Sequence, residues 1–204
     1  MDMEQGLLYL LAGYLSGSVL YARVFSGLLR RGDVTEKSRD GNPGTANAFL
    51  YGGFWCGALT LVCDLLKGFL PVFLYIRVSG GTPLGLVLVM SAPALGHIFP
   101  IWHKFDGGKG IAVSFGVLLG LAPNMLPVLT LALTYLLFSL VFKVNPHFYR
   151  LILTYSTAFG IILLTSRSIP VTLGCAAVFV IVLLKIISVR DTYDKMTVRA
   201  AWKR

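Results

Sequence analysis

The chain has 204 residues, 56% of them hydrophobic and only 13% charged, with a mean hydropathy of +0.77, whereas a soluble domain carries about 25% charged residues. Its net charge of +9 is spread over short connections between apolar blocks, as membrane insertion demands, which argues against a nucleic-acid-binding surface. Cys56, Cys63 and Cys175 sit inside those blocks without CxxC spacing, so neither a disulfide frame nor a zinc site is indicated.

An α-helical span needs about 17 to 25 apolar residues. In chain order the candidates cover residues 6–29, 49–76, 83–102, 111–122, 125–142, 151–166 and 169–189. The first block follows Asp2 and Glu4 instead of a basic stretch, so it reads as a retained span and not as a signal peptide. The fourth is short and glycine-rich, a half-span at the least. The expectation is an all-α polytopic membrane protein of about seven transmembrane helices, forming a single membrane domain over residues 1–204.

Basic residues are retained on the cytoplasmic side of a membrane. Here they fall after the first span (Arg30, Arg31, Lys37, Arg39), after the third (Lys104, Lys109), after the fifth (Lys143, Arg150) and in the tail (Lys185, Arg190, Lys195, Arg199, Lys203, Arg204). The opposite connections offer Arg77 and Arg167. This asymmetry places the N-terminus outside and the C-terminus in the cytoplasm. Glycines at GxxxG spacing, Gly13/Gly17, Gly53/Gly57, Gly81/Gly85 and Gly116/Gly120, are expected to let helices approach closely.

Two connections on the cytoplasmic side carry the chemistry. One runs Arg39-Asp40-Gly41-Asn42-Pro43-Gly44-Thr45-Ala46-Asn47, the other Phe105-Asp106-Gly107-Gly108-Lys109-Gly110 and then into a helix. Glycines let successive N–H groups converge on an anion, and a helix N-terminus favours phosphate. The second loop is not a Walker loop, because His103 stands at the first glycine position and Gly110 follows the lysine. Asp40-Gly41, Gly44, Ala46 and Phe49 recur as Asp106-Gly107, Gly110, Ala112 and Phe115. The two loops are therefore expected to form a pair around one site.

Asp64 and Lys67 share a helix face inside the second block. Charges at that depth pair with one another or line a polar cavity. His97, in Gly96-His97-Ile98-Phe99-Pro100, suits a backbone-bonded position at a proline-broken helix end better than a general base, since no Ser or Cys pattern accompanies it. His103 and His147 read as interfacial loop residues.

Taken in order, Gly17-Ser18, Gly41-Asn42-Pro43-Gly44 with Asn47, Asp64-Leu65-Leu66-Lys67-Gly68, Gly96-His97-Ile98-Phe99-Pro100, and Phe105 with Gly107-Gly108-Lys109-Gly110 resemble the bacterial acyl-phosphate:glycerol-3-phosphate acyltransferases. The resemblance implies a multi-pass protein of the bacterial inner membrane that transfers a fatty acyl chain from acyl phosphate to the 1-hydroxyl of glycerol 3-phosphate. It implies no metal, no cofactor and no obligate protein partner. Lys109 with Gly107, Gly108 and Gly110 would hold phosphate, together with Gly41 and Gly44. Ser18, Asn42, Asn47 and His97 would meet substrate, and Lys67 with Asp64 would shape the polar pocket.

This chain has Asp40 where the family usually has Ser, Leu50 for Arg, Leu20 for Pro and Val113 for Thr. Its tail reads Arg190-Asp191-Thr192-Tyr193-Asp194 in place of a His-x-x-Asn-Ile run. These departures leave a non-catalytic or altered-acceptor paralogue as an alternative. A transporter of a phosphorylated solute is another, because intramembrane polar pairs and broken helices serve transporters too.

Overall fold

The computed structural model describes residues 3–38, 40–80, 82–189 and 195–200. Asp2, Arg39, Gly81, the run from Arg190 to Asp194, Lys203 and Arg204 lie outside the described residues. The helices are α1 (Met3–Gly17), α2 (Tyr21–Leu28), α3 (Val34–Lys37), α4 (Thr45–Gly52), α5 (Phe54–Ser79), α6 (Pro83–Ile98), α7 (Ile111–Leu119), α8 (Leu126–Leu136), α9 (His147–Thr165) and α10 (Ile169–Ser188). A 3-10 turn at Ile101–His103 follows α6, and a π turn at Leu137–Val141 continues α8. Two short strands, β1 (Val144–Asn145) and β2 (Thr197–Val198), pair antiparallel and bring the tail back to the α8–α9 connection.

Four segments are long and apolar enough to cross a membrane, namely Phe54–Ser79, Pro83–His103, His147–Thr165 and Ile169–Ser188. Gly6–Gly17 and Tyr21–Leu28, bent by 44° at their break, pass the same test when taken together as one broken span. Large side chains such as Leu164, Leu133 and Leu184 point outward. A contiguous apolar exterior of this kind suits lipid and not water. The chain is thus a multi-pass membrane protein.

The expected boundaries need two corrections. The block over 49–76 is two helices, because Gly52 closes α4 and Gly53, at φ +85°, turns the chain before α5 begins. That conformation is cheap for glycine alone, and hydropathy cannot register it. The sixth block starts four residues before its expected position, at His147. The fourth block is short, as expected: α7 has nine residues, about 14 Å of helix against roughly 30 Å of hydrocarbon.

Close helix contacts run through glycines. A Cβ on Gly68 of α5 would strike the Val113 carbonyl of α7, and one on Gly116 of α7 would strike the Leu65 carbonyl of α5. Gly17 of α1 and Gly96 of α6 meet the Pro93 and Tyr14 carbonyls in the same manner. Gly17 and the Gly116/Gly120 pair therefore seat backbone on backbone, while Gly13 packs against the side chains of Ala92, Pro93 and Pro71. Around these crossings lies an apolar core that includes Val72, Met90, Leu118, Tyr155 and Phe179.

Substituting Gly116 by valine should destabilise the detergent-solubilised protein by about 1–3 kcal/mol or more, as overpacking does. Gly160, whose added Cβ would meet nothing within 4 Å, should accept alanine without loss. Equal melting temperatures for the two variants would refute this packing account.

Candidate active site

The break between α1 and α2 starts the site. At the end of α1 the Tyr14 carbonyl accepts both the Ser18 N–H and the Ser18 hydroxyl, each at 2.9 Å. The chain then leaves the helix, and the Val19 carbonyl turns toward α5. Lys67 of α5 donates to that carbonyl at 2.7 Å. The same ammonium lies 2.7 Å from Asp64 Oδ1 and 2.8 Å from His97 Nδ1 of α6. Both side chains of the Asp64–Lys67 pair are only 2% exposed, and Thr45 of α4 adds a 3.4 Å hydrogen bond to Asp64 Oδ2. A charge buried to this degree persists when its partners satisfy it.

The second polar group ties the two glycine loops together. Lys109 Nζ is 2.7 Å from Asp40 Oδ2, while the Lys109 N–H donates to Asn42 Oδ1 at 3.0 Å. Asn47 Nδ2 donates to Asp40 Oδ1 at 2.8 Å and to the Asn42 carbonyl at 2.9 Å. On the other side, the Gly107 and Gly108 N–H groups donate to the Ile98 and His97 carbonyls at 3.1 and 3.0 Å. The loop is thereby pinned to the end of α6. A Cβ on Gly108 would collide with His97 Nε2, so this approach requires glycine. The expected pairing of the loops is present in the structure.

Between these groups lies a cavity of about 520 Å³. It is lined by Asp40, Asn42 and Gly44, by the first turn of α4 (Thr45, Ala46, Asn47), and by Lys109, Gly110 and the first turn of α7 (Ile111, Ala112). Two helix N-termini, whose first N–H groups have no partner within the helix, thus open on one space. That is the arrangement that favours an anion. Leu50, Leu61, Phe115 and Tyr135 give the cavity an apolar side, and Asp64, His97 and His147 complete it.

Of the residues named from the sequence, Asn42, Gly44, Asn47, Asp64, His97, Lys109 and Gly110 line the cavity. Lys67 stands just behind it, in contact with Asp64 and His97. Gly41, Gly107 and Gly108 shape the loops without lining the space. Ser18 is fully buried, its hydroxyl returned to the Tyr14 carbonyl, and the structure does not bring it to the cavity. Tyr135 and His147 do line it and were missed, since only the folding of α8 and α9 against α7 brings them there. Among the described residues no three His, Cys, Asp or Glu side chains gather as a metal site requires.

Burial pushes the Asp40 carboxyl up, but the Lys109 ammonium and the Asn47 amide outweigh burial and hold it below the usual carboxylate value.

A family model described as glycerol-3-phosphate acyltransferase matches residues 7–197. A glycerol-3-phosphate acyltransferase of Myxococcus xanthus is 36% identical over 173 residues, 85% of this chain and 88% of that protein. One of Burkholderia pseudomallei strain K96243 is 34% identical over 179 residues, covering 88% and 87%. A Cupriavidus necator relative of the same name is 43% identical over 120 residues, and the alignment spans 59% of that protein and 57% of this chain. Among solved structures, the fold superposes on PlsY, an integral membrane glycerol 3-phosphate acyltransferase, in its glycerol 3-phosphate form. The TM-score is 0.76 at 24% identity, over 90% of this chain and 88% of that one. The form with lysophosphatidic acid gives 0.72. The chain belongs to the glycerol-3-phosphate acyltransferase family.

Removing one partner of a buried ion pair costs about 3–5 kcal/mol because the other charge is stranded. Lys67→Met should therefore destabilise the protein by that order, and adding Asp64→Leu should restore a large part of the loss. Chemical or thermal unfolding of the two variants in detergent measures this; a double variant no more stable than the single one would contradict it. The Asp40–Lys109 pair predicts a pH effect as well. Because the folded-state value of Asp40 is depressed, its contribution is complete above the unfolded value of about 3.9 and is lost as pH falls through the folded one. Between pH about 5 and 3 the parent should lose more stability than Asp40→Asn, and parallel melting curves would count against the pair.

Proposed function

We propose that the chain is a membrane acyltransferase that moves a fatty acyl group from acyl phosphate to the 1-hydroxyl of glycerol 3-phosphate, giving lysophosphatidate. The observation that carries this reading is the convergence of Lys109 and the N-termini of α4 and α7 on one cavity with an apolar side. Both substrates bear phosphate and one bears an acyl chain, so the cavity offers each part a matching surface. Family membership supports glycerol 3-phosphate as the acceptor, and the superposition on PlsY supports the fold.

An acyl phosphate is already activated, so positioning and charge stabilisation supply most of the catalysis asked of the protein. The 1-hydroxyl oxygen attacks the acyl carbonyl carbon and forms the ester bond. The bond from that carbon to the phosphate oxygen breaks, inorganic phosphate leaves, and a phosphate oxygen takes the hydroxyl proton. Lys109 and the N–H groups at the starts of α4 and α7 hold phosphate charge. Asn42 and Asn47 orient the acceptor, while Lys67 keeps Asp64 and His97 in place along the wall. No protein base is required.

The reading extends to topology. Counting the α1–α2 pair, α5, α6, α7, α8 with its π turn, α9 and α10 gives seven passes, two of them short. The α3–α4 and α6–α7 connections that line the cavity, and His147 at the start of α9, belong to the basic side of the sequence, and the tail returns there through β2. That side faces the cytoplasm and the N-terminus lies outside, in a single membrane domain of the bacterial inner membrane. No metal, cofactor or obligate protein partner takes part.

The test is acyl transfer by the purified protein in detergent, with palmitoyl phosphate and labelled glycerol 3-phosphate. Lysophosphatidate should form with the parent and fall by at least about a hundredfold with Lys109→Ala, the scale of losing an electrostatic contact to the reacting group. A well-folded parent that makes no product, beside an active relative, would rule this reaction out.

A further inference from the structure

The anion-holding groups of the two loops already hold an anion. Asp40 Oδ2 takes the Lys109 ammonium at 2.7 Å, and Asp40 Oδ1 takes the Asn47 amide at 2.8 Å and the Asn42 N–H at 3.3 Å. Three donors from three positions thus converge on one side chain, and all four residues line the cavity. Among the described residues of that lining the charged side chains are Asp40, Asp64 and Lys109, two carboxylates and one ammonium. Lys67 adds nothing free, because its ammonium is taken up by Asp64, the Val19 carbonyl and His97. A phosphate entering the cavity therefore meets, among the described residues of its lining, a cation that is already neutralised.

Resting on the acyl-transfer reading, we propose that Asp40 is a specificity-determining residue, an internal competitor that the acceptor's phosphate must displace from Lys109. Its surroundings allow the displacement. The Asp40 side chain is 24% exposed, and a Cβ added at Gly41 beside it, at φ +58°, would meet nothing within 4 Å. The exchange is selective by charge. A phosphate brings close to two negative charges and three acceptor oxygens, enough to draw Lys109, the Asn47 amide and nearby helix N–H groups away from a carboxylate. A ligand bearing a single carboxylate has no such advantage over Asp40 and is excluded. Asp40 thus weakens the binding of every anionic acceptor, and it weakens carboxylates most.

Asp40→Asn keeps the shape and an oxygen for the Asn42 and Asn47 donors while removing the charge. With palmitoyl phosphate as donor, its KM for glycerol 3-phosphate should fall by about tenfold, the scale of releasing one neighbouring charge, and by more than kcat changes. Glycerate should begin to inhibit the variant although it leaves the parent unaffected. Asp40→Ser, which also lacks the charge, should reproduce both effects, and melting curves confirm that each variant is folded. Calorimetric titration with inorganic phosphate, on the parent, Asp40→Asn and Lys109→Ala, separates this inference from the reaction it rests on. Tighter phosphate binding by Asp40→Asn, abolished by Lys109→Ala, upholds the competitor role even if no lysophosphatidate forms. A folded Asp40→Asn whose KM and phosphate affinity are unchanged or weaker, and which still ignores glycerate, would overturn it and leave Asp40 as a clasp between the loops.

Discussion

Three segments that are far apart in sequence are held together at the Lys67 ammonium. It reaches Asp64 one turn back on its own helix, the Val19 carbonyl at the break between α1 and α2, and His97 near the end of α6. A broken helix inside a membrane leaves carbonyls without partners, and lipid offers none. Lys67 supplies one, and the cost of burying its charge is offset by Asp64. Removing any member of this group would leave another polar atom stranded in a low-dielectric setting. The remainder of the site follows from where this group holds α1, α5 and α6. Gly96 beside His97 admits the Tyr14 backbone of α1, and the His97 and Ile98 carbonyls anchor the second glycine loop.

Close packing does the rest. Hydrophobic burial cannot drive helices together in lipid, where tails are as apolar as leucine. Backbone contacts at glycines replace it. Gly68 and Gly116 set α7 against α5 so tightly that each backbone meets the other. This crossing decides where the N-terminus of α7 lies, and hence where Lys109 and Gly110 open on the cavity. A short helix is sufficient for that task, and α7 has only nine residues.

The local chemistry was the most legible part of the sequence. Glycine and asparagine clusters flanking Asp40 and Lys109 mark two loops expected to pair, and the structure joins those two loops through Asn42 and Asp40. The blocks over 83–102 and 169–189 are found nearly where hydropathy puts them. What escaped had no local mark. The corner at Gly53 lies inside an apolar run and depends on one backbone angle. Ser18 has a hydroxyl suited to a ligand, but a helix end offers it a carbonyl one turn back. Tyr135 and His147 reach the cavity from distant helices, and single histidines or tyrosines at the edge of apolar blocks carry no spacing to interpret. In Asp40 the sequence showed a charge of the wrong sign for a phosphate site; only the geometry showed whose charge it opposes.

The three partners of Lys67 also fix the state of a neighbouring ring. An ammonium has only three N–H groups and no lone pair, so facing Lys67 the His97 Nδ1 atom must be the acceptor. The ring's own hydrogen is left on Nε2, the atom packed against Gly108. In this tautomer the imidazole presents a donor to the loop side. It cannot take a second proton at Nδ1 unless Lys67 first gives one up or turns away. Proton uptake at His97 is therefore coupled to the lysine that holds the broken helix in place. A ring so constrained is suited to orienting its neighbours and poorly suited to shuttling hydrogen during turnover.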